Sequence, residues 1–381
     1  MTLPHSSAGG GSEKLASGGD PVGLHTPLCD LLGVRVPIIQ TGMGWVSGAR
    51  LTAATSRAGG FGILGSATMT LEDLARAIRE VKERTDRPFG VNMRPDQADI
   101  EARVALLTRE KIALASFAGP PGVEIVATLN KAGILTMPTV GAPRHAEKME
   151  KLGVDLLIAQ GGEGGGHTGD IATSLLVPRC VDAVKIPVVA AGGFHDGRGL
   201  VAALAWGAAG IAMGTRFLLT RDSTVPDNVK QLYLGTALTG TIVTRAIDGA
   251  PQRVIRTEVI DGLERGGPRR RFWRALHSAL GFRKLTGGSF RALLREGLAM
   301  RRRQGLPLAQ LLMAANAPMM TRASMVEGKP EVGILPTGQV VGVIGELPSV
   351  AELLERIERE AEETLARLTT AIGRAHDRLG A

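Results

Sequence analysis

The sequence predicts an α/β protein, a (β/α)8 TIM barrel with an Arg-rich, mainly helical insertion after strand eight and a closing C-terminal helix. Two observations carry the prediction: eight short β-rich runs alternate with helical patterns, and glycines gather where those runs end. A third excludes the main competitor, because no G-x-G-x-x-G opens the first βα turn as a doubly wound dinucleotide fold requires.

The runs are PIIQ (37–40), FGIL (61–64), FGVN (89–92), ALASF (113–117), ILTMPTV (134–140), DLLIAQ (155–160), PVVAAG (187–192) and GIAMGT (210–215). Between them stand explicit helix signals. Thr70 with Asp73 forms a capping box, and Leu71, Leu74, Ile78 and Val81 then share one face, with an end expected near Thr85 ahead of Pro88. The Gly/Ser-rich residues 1–25 read as a flexible extension, 26–216 as the barrel core and 217–312 as a basic helical lobe. Residues 313–381 close the barrel: Ser349 with Glu352 caps a helix whose Leu353, Leu354, Ile357, Ala361, Leu365 and Leu368 recur at helical spacing.

Composition narrows the class. Of 381 residues 44% are hydrophobic but only 3% aromatic, so Val, Leu, Ile, Ala and Met must fill the interior, as in parallel α/β sheets. Cys29 and Cys180 are far apart, and neither cysteine nor histidine spacing marks a disulfide framework or a metal site, which fits a reducing compartment. Residues 1–25 show no leader pattern and no stretch reaches 18 apolar residues, so a cytoplasmic protein without a membrane partner is expected.

Charge is unevenly spread: the chain is +8, the segment 265–303 alone is +11, and the remainder is −3. Such a belt calls for an anion, whether nucleic acid, an acidic membrane surface or a phosphorylated substrate. Nucleic acid is the poorer fit. The lobe has few aromatics, Phe272, Trp273 and Phe282 among them, and no RRM, zinc-finger or helix-turn-helix pattern.

Active sites of this fold lie at the C-terminal ends of the strands. There the sequence offers Gln40-Thr41-Gly42-Met43-Gly44, Asn92, the run from Gln160 to His167, Gly192-Gly193-Phe194 and Met213-Gly214-Thr215-Arg216. The turns after strands seven and eight, with Gly193, Gly214 and Thr215, suit a phosphate cradled by backbone N–H groups, although tight βα turns alone also favour glycine. After strand six, five glycines and one histidine between Gly161 and His167 leave a nearly bare backbone with an imidazole that can take a proton. A lone histidine is more often structural, and its position is what raises His167 to a general base. Glu163, His145 and His195 are weaker candidates, reading as a loop carboxylate, a surface-helix residue and a rim residue.

Together these motifs resemble the nitronate monooxygenase family, formerly called 2-nitropropane dioxygenases, which are FMN-containing TIM barrels. PIIQTGMG, AGGFGILG, FGVN, QGGEGGGHTG, AAGGFHDGRG and MGTRFL occur in the family's order over about residues 30–222, joined by the closing segment from Ala314. The resemblance implies FMN held by Gly42 and Met43 beneath the ring and by Asn92 and Gln160 at its edge and ribityl chain. Gly165, Gly193, Gly214 and Thr215 would surround the phosphate, Met213 would be a further cofactor-binding residue, and His167 matches the catalytic base. The His loop reads GEGGGHTG where many members have an E-A-G-G-H-R-G type, and Ala212 stands where many have Gln; both departures bear on the substrate.

A narrower similarity, carried by QTGMGWVSGARL, RFLLTRDSTVPD, AANAPMM and GQVVGVIGELPS, is to an actinobacterial subgroup acting in steroid-ring breakdown by flavin-dependent dehydrogenation of a hydroxylated bicyclic acyl-CoA. A CoA thioester brings phosphates that arginines can clamp, which makes Arg269, Arg270, Arg271, Arg301 and Arg302 substrate-side candidates; each also reads as a solvated helix position. The alternatives are oxidation of alkyl nitronates with O2, a flavin-dependent enoyl-thioester reductase, and a non-enzymatic nucleic-acid-binding protein. A homo-oligomer is compatible with all of them.

Overall fold

The computed structural model describes residues 24–265 and 308–379. Its centre is a closed barrel of eight parallel strands: β1 (Ile38–Gln40), β2 (Phe61–Gly65), β3 (Phe89–Met93), β4 (Leu114–Phe117), β5 (Leu135–Val140), β6 (Leu157–Gln160) and, past the outlying β7 (Gly166–His167), β8 (Val188–Ala191) and β9 (Gly210–Met213). Closure is explicit in the register, since Ile39 of β1 pairs with Phe61 of β2 on one side and Ala212 of β9 on the other. All eight expected strands are present.

Strand alternation sorts side chains between the barrel interior and the helical layer outside. Ile39, Ile63, Leu114, Met137, Ile158, Val189, Ala191 and Ala212 fill the interior, and Leu28 and Leu32 of α1 (Pro27–Leu32) join that cluster at the N-terminal end of the strands. The barrel is therefore plugged below. Its opposite end, where the strands finish, is the barrel mouth.

Around it run α2 (Ala49–Arg57), α3 (Leu71–Arg84), α4 (Ile100–Arg109), α5 (Val123–Lys131), α6 (Pro143–Lys151), α7 (Thr173–Ala183), α8 (Gly197–Ala205) and the short α9 (Thr215–Leu218). Thr70 caps α3 by accepting the Asp73 amide at 3.1 Å, and Leu74, Ala77, Ile78 and Val81 are buried against the barrel. Leu71, at the first helical position, stays exposed.

The lobe after the barrel contributes α10 (Asp227–Leu234), β10 (Thr241–Thr244), β11 (Gln252–Ile255) and α11 (Glu258–Arg265). Helix predominates in the described part of the lobe, as expected, and the two short strands are an addition that the sequence reading does not place. β11 pairs antiparallel with β10 on one edge and with β7 on the other, so a three-stranded sheet ties the lobe to the loop after β6.

The chain returns through α12 (Leu308–Met325) and ends in α13 (Val350–Leu379). Ser349 and Glu352 form the expected reciprocal capping box: the Ser349 amide donates to the Glu352 carboxylate at 2.8 Å and the Glu352 amide to Ser349 Oγ at 3.3 Å. Leu353, Leu354, Ile357 and Ala361 are fully buried, and α8 meets this face at Gly197, where a Cβ would lie 2.3 Å from the Ala361 nitrogen. The packing stops there, and Leu365 and Leu368 are exposed. Among the described residues no helix is long and apolar enough to cross a membrane, and no cluster could hold a metal ion. Cys29 and Cys180 are free and buried, with burial pushing the Cys180 thiol up to about 11.

Candidate active site at the barrel mouth

The alternation that buries Ile39, Ile158, Ala191 and Ala212 in the barrel interior turns the next inward positions, Thr41, Gln160, Gly193 and Gly214, toward the mouth. On β3 a Cβ at Gly90 would meet the Phe61 ring and Leu114, so Asn92, two residues on, also faces the mouth, and its Nδ2 donates to Ser116 Oγ at 3.2 Å.

Glycine is required where the loop after β1 crosses these strand ends. A Cβ at Gly42 would sit 2.2 Å from Asn92 Cβ, and one at Gly65 would sit 2.3 Å from the Met43 carbonyl oxygen. Met43 thereby lies beside Gly214, whose Cβ direction meets Met43 Sδ and Thr41 Oγ1 at 3.2 Å. Met213 is placed differently from its neighbours: its side chain packs in the outer core, and its carbonyl accepts from the Thr41 amide at 3.1 Å. Any role for Met213 at the mouth is confined to the main chain. Trp45, in the same loop, has φ +65°, donates from Nε1 to the Pro318 carbonyl at 2.9 Å and lies under the Arg322 guanidinium, so α12 forms one wall of the rim.

The loop after β6 is fastened from four sides. Gln160 Nε2 donates to the His167 carbonyl at 2.8 Å, and Arg253 of β11 donates to the Gly162 carbonyl from Nε and a terminal nitrogen at 3.2 and 2.9 Å. Glu163 accepts the Thr173 amide at 2.9 Å and its hydroxyl, which makes this carboxylate a tie to the start of α7. From the closing segment, the Gln339 amide donates to the Glu163 carbonyl at 2.9 Å, and a Cβ at Gly165 would lie 2.4 Å from the Thr337 carbonyl carbon. Gly165 thus has a packing reason to be glycine apart from any ligand.

His167 sits on β7 opposite Gln252 of β11. Its Nε2 is 2.7 Å from Asp248 Oδ2 and 3.1 Å from Gln252 Nε2, and its side chain is 65% exposed, free to meet a bound molecule. Asp248 is held in turn by Gln252 and by the Ala250 amide at 3.1 Å. Burial works to raise the Asp248 pKa, but hydrogen bonds from His167, Ala250 and Gln252 and the nearby imidazole leave it below the ordinary aspartate value. Sequence pattern points to His167 and misses Asp248, Gln252 and Arg253.

Gly193, at φ +85°, opens on the mouth with nothing nearer to its Cβ direction than Glu163 Cβ at 3.6 Å. Beside it the first amides of α9 follow Gly214, where a helix leaves N–H groups without intrahelical acceptors. Thr215 Oγ1 accepts the Gly338 amide at 2.8 Å, so the closing segment also holds this turn. These features fit a flat ring with a terminal phosphate: bare backbone at Gly193 and Gly214, polar side chains at Asn92 and Gln160, and one imidazole at the edge. His195 is half-buried beside Asp196, with burial lowering its pKa, and His145 lies on α6. Arg269, Arg270, Arg271, Arg301 and Arg302 lie outside the described residues.

Known proteins share this fold. A protein of Mycobacterium tuberculosis, (3aS,4S,5R,7aS)-5-hydroxy-7a-methyl-1-oxo-octahydro-1H-indene-4-carboxyl-CoA dehydrogenase, is 54% identical over 341 residues, covering 89% of this chain and 96% of its own. A probable nitronate monooxygenase of Staphylococcus haemolyticus is 32% identical over 284 residues, 62% of this chain and 80% of its own. Among solved structures, FabK from Thermotoga maritima superposes with a TM-score of 0.75 at 33% identity, over 91% of this chain and 99% of its own. The nitroalkane oxidase of Streptomyces ansochromogenes does so at 0.70 and 28% identity, over 90% and 99%. The profile of the nitronate monooxygenases matches residues 25–104 and 98–360, from α1 through the barrel and lobe into α13, and this chain is an oxidoreductase belonging to that family.

Proposed function

We propose that the protein is an FMN-dependent dehydrogenase of an acyl-CoA thioester, with a hydroxylated bicyclic acid of the steroid-ring type as its acyl group. The observation that carries the chemistry is His167, held by Asp248 at the barrel mouth beside the bare turns at Gly193 and Gly214. The substrate class is supported by 54% identity over 89% of the chain to a dehydrogenase of such a thioester.

FMN would be held by Gly42 and Met43 under the ring, Asn92 and Gln160 at its edge, and Gly165, Gly193, Gly214 and Thr215 around the phosphate. Bound there, it supplies the acceptor for the hydride that leaves the substrate. His167 takes the proton that leaves with it, from an O–H or C–H bond, and the Asp248 carboxylate stabilises the imidazolium that results. Arg253 and Glu163 keep the loop in place while this happens.

A second reading, oxidation of alkyl nitronates, is favoured by the family match itself. Anaerobic titration of the purified protein separates the two. Bleaching of a flavin spectrum by the CoA thioester, and not by an alkyl nitronate, is the expected result; the reverse order selects the second reading, and a colourless protein that takes up no FMN overturns both.

A further inference from the structure

We propose that Asp248, aided by Gln252, holds His167 as the Nε2–H tautomer, so that Nδ1 is the atom that takes the substrate's proton; the catalytic half of this statement rests on His167 being the base. Asp248 is then a positioning residue. Two contacts carry the inference. Asp248 Oδ2 is 2.7 Å from His167 Nε2, close enough for a charge-assisted hydrogen bond. A carboxylate only accepts, so the proton between them belongs to the imidazole. Gln252 Nε2 donates to the same Asp248 Oδ2, which holds that oxygen in place as acceptor; at 3.1 Å from His167 Nε2 the amide nitrogen is a second donor and makes no hydrogen bond to a protonated ring nitrogen.

The backbone makes this arrangement stiff. Gln252 and His167 are directly opposed in the β11–β7 ladder, which fixes their backbones, and Asp248 is braced by the Ala250 amide at 3.1 Å. In the neutral ring one nitrogen carries the proton and the other does not. With Nε2 protonated, Nδ1 holds the free lone pair. An O–H or C–H bond of the substrate would break as an Nδ1–H bond forms, and a double bond would close to the adjacent carbon as that carbon loses a hydride. FMN, when bound, would supply the two-electron acceptor for that hydride, and Asp248 would balance the imidazolium.

The tautomer can be read directly from long-range 1H–15N correlation spectra of the full-length protein labelled with [15N]histidine, without flavin or substrate. His167 is identified by the signal missing from His167→Gln. The expected pattern is a protonated Nε2 and a bare Nδ1, changing to a mixture or to Nδ1–H in Asp248→Asn, with kcat lowered roughly 100-fold or more while KM moves little. An Nδ1–H or freely exchanging ring in the wild-type protein overturns the proposal, as does an Asp248→Asn spectrum identical to wild type. The wild-type measurement stands even if the variant fails to fold. A protein that shows the expected tautomer but bleaches with neither substrate would refute the proposed function and leave the tautomer assignment intact.

Discussion

Asp248 and His167 are 81 residues apart in sequence and 2.7 Å apart in space, joined because a hairpin of the post-barrel lobe adds a two-residue strand from the glycine loop to its edge. The barrel supplies the location of the imidazole, and the lobe supplies its partner.

Replacing His167 by Gln is expected to lower kcat by roughly 10²–10⁴-fold, the usual worth of a positioned general base. The side chain is largely exposed and the strand pairing is made by the backbone, so flavin uptake should be unchanged and the loss of the contact to Asp248 should cost about 1 kcal/mol or less. Stopped-flow reduction and a visible spectrum check both halves; an unaffected reductive rate would remove His167 from the chemistry.

Gly165→Ala should destabilise the protein by about 1–3 kcal/mol, because the new Cβ meets backbone of the closing segment that cannot step aside. Gly345→Ala, where a Cβ meets nothing within 4 Å, should stay within about 0.5 kcal/mol. Urea denaturation of the two variants side by side gives the comparison. Equal stabilities would mean the closing segment does not press on the loop.

Asp196 caps α8 by accepting the Gly199 amide at 2.9 Å. Burial raises its pKa, but that amide, Arg198 and His195 outweigh it and leave the value below the ordinary 3.8. A depressed carboxylate stabilises the fold above its unfolded pKa and loses that contribution as pH falls through the folded value. Asp196→Ala should therefore cost about 1 kcal/mol at about pH 7, with the difference from wild type shrinking below about pH 3.8. Denaturation midpoints measured at several pH values test this, and a pH-independent difference would rule out the charged cap.

Ile357→Ala removes a fully buried side chain from α13 and should cost about 2–5 kcal/mol, whereas Leu365→Ala, on the exposed continuation of the same stripe, should cost less than about 0.5 kcal/mol. Thermal melts of both variants show where the helix stops being part of the core.

The barrel was legible because parallel strands covered on both faces read as short apolar runs, and runs such as DLLIAQ and PVVAAG end in the glycines that mark the mouth. His167 was legible for the same reason, as the one ionisable side chain apart from Glu163 in a bare loop. Asp248, Gln252 and Arg253 were not. Their placement depends on antiparallel pairing with residues far upstream, which local pattern does not reveal, although the β-branched run TIVT followed by QRVI in a segment read as helical was a signal of the hairpin. Met213 shows the converse: its motif stands out in the sequence, but strand alternation sends the side chain outward.

The fastening of Gly165 and Glu163 by residues 337–339 has a consequence for how the molecule is made. All eight barrel strands have left the ribosome once Met213 has, yet the hairpin that holds His167 and the segment that pins its loop are synthesised later. The residues that fix the His167 side chain and its loop are therefore the last parts of the candidate site to be synthesised.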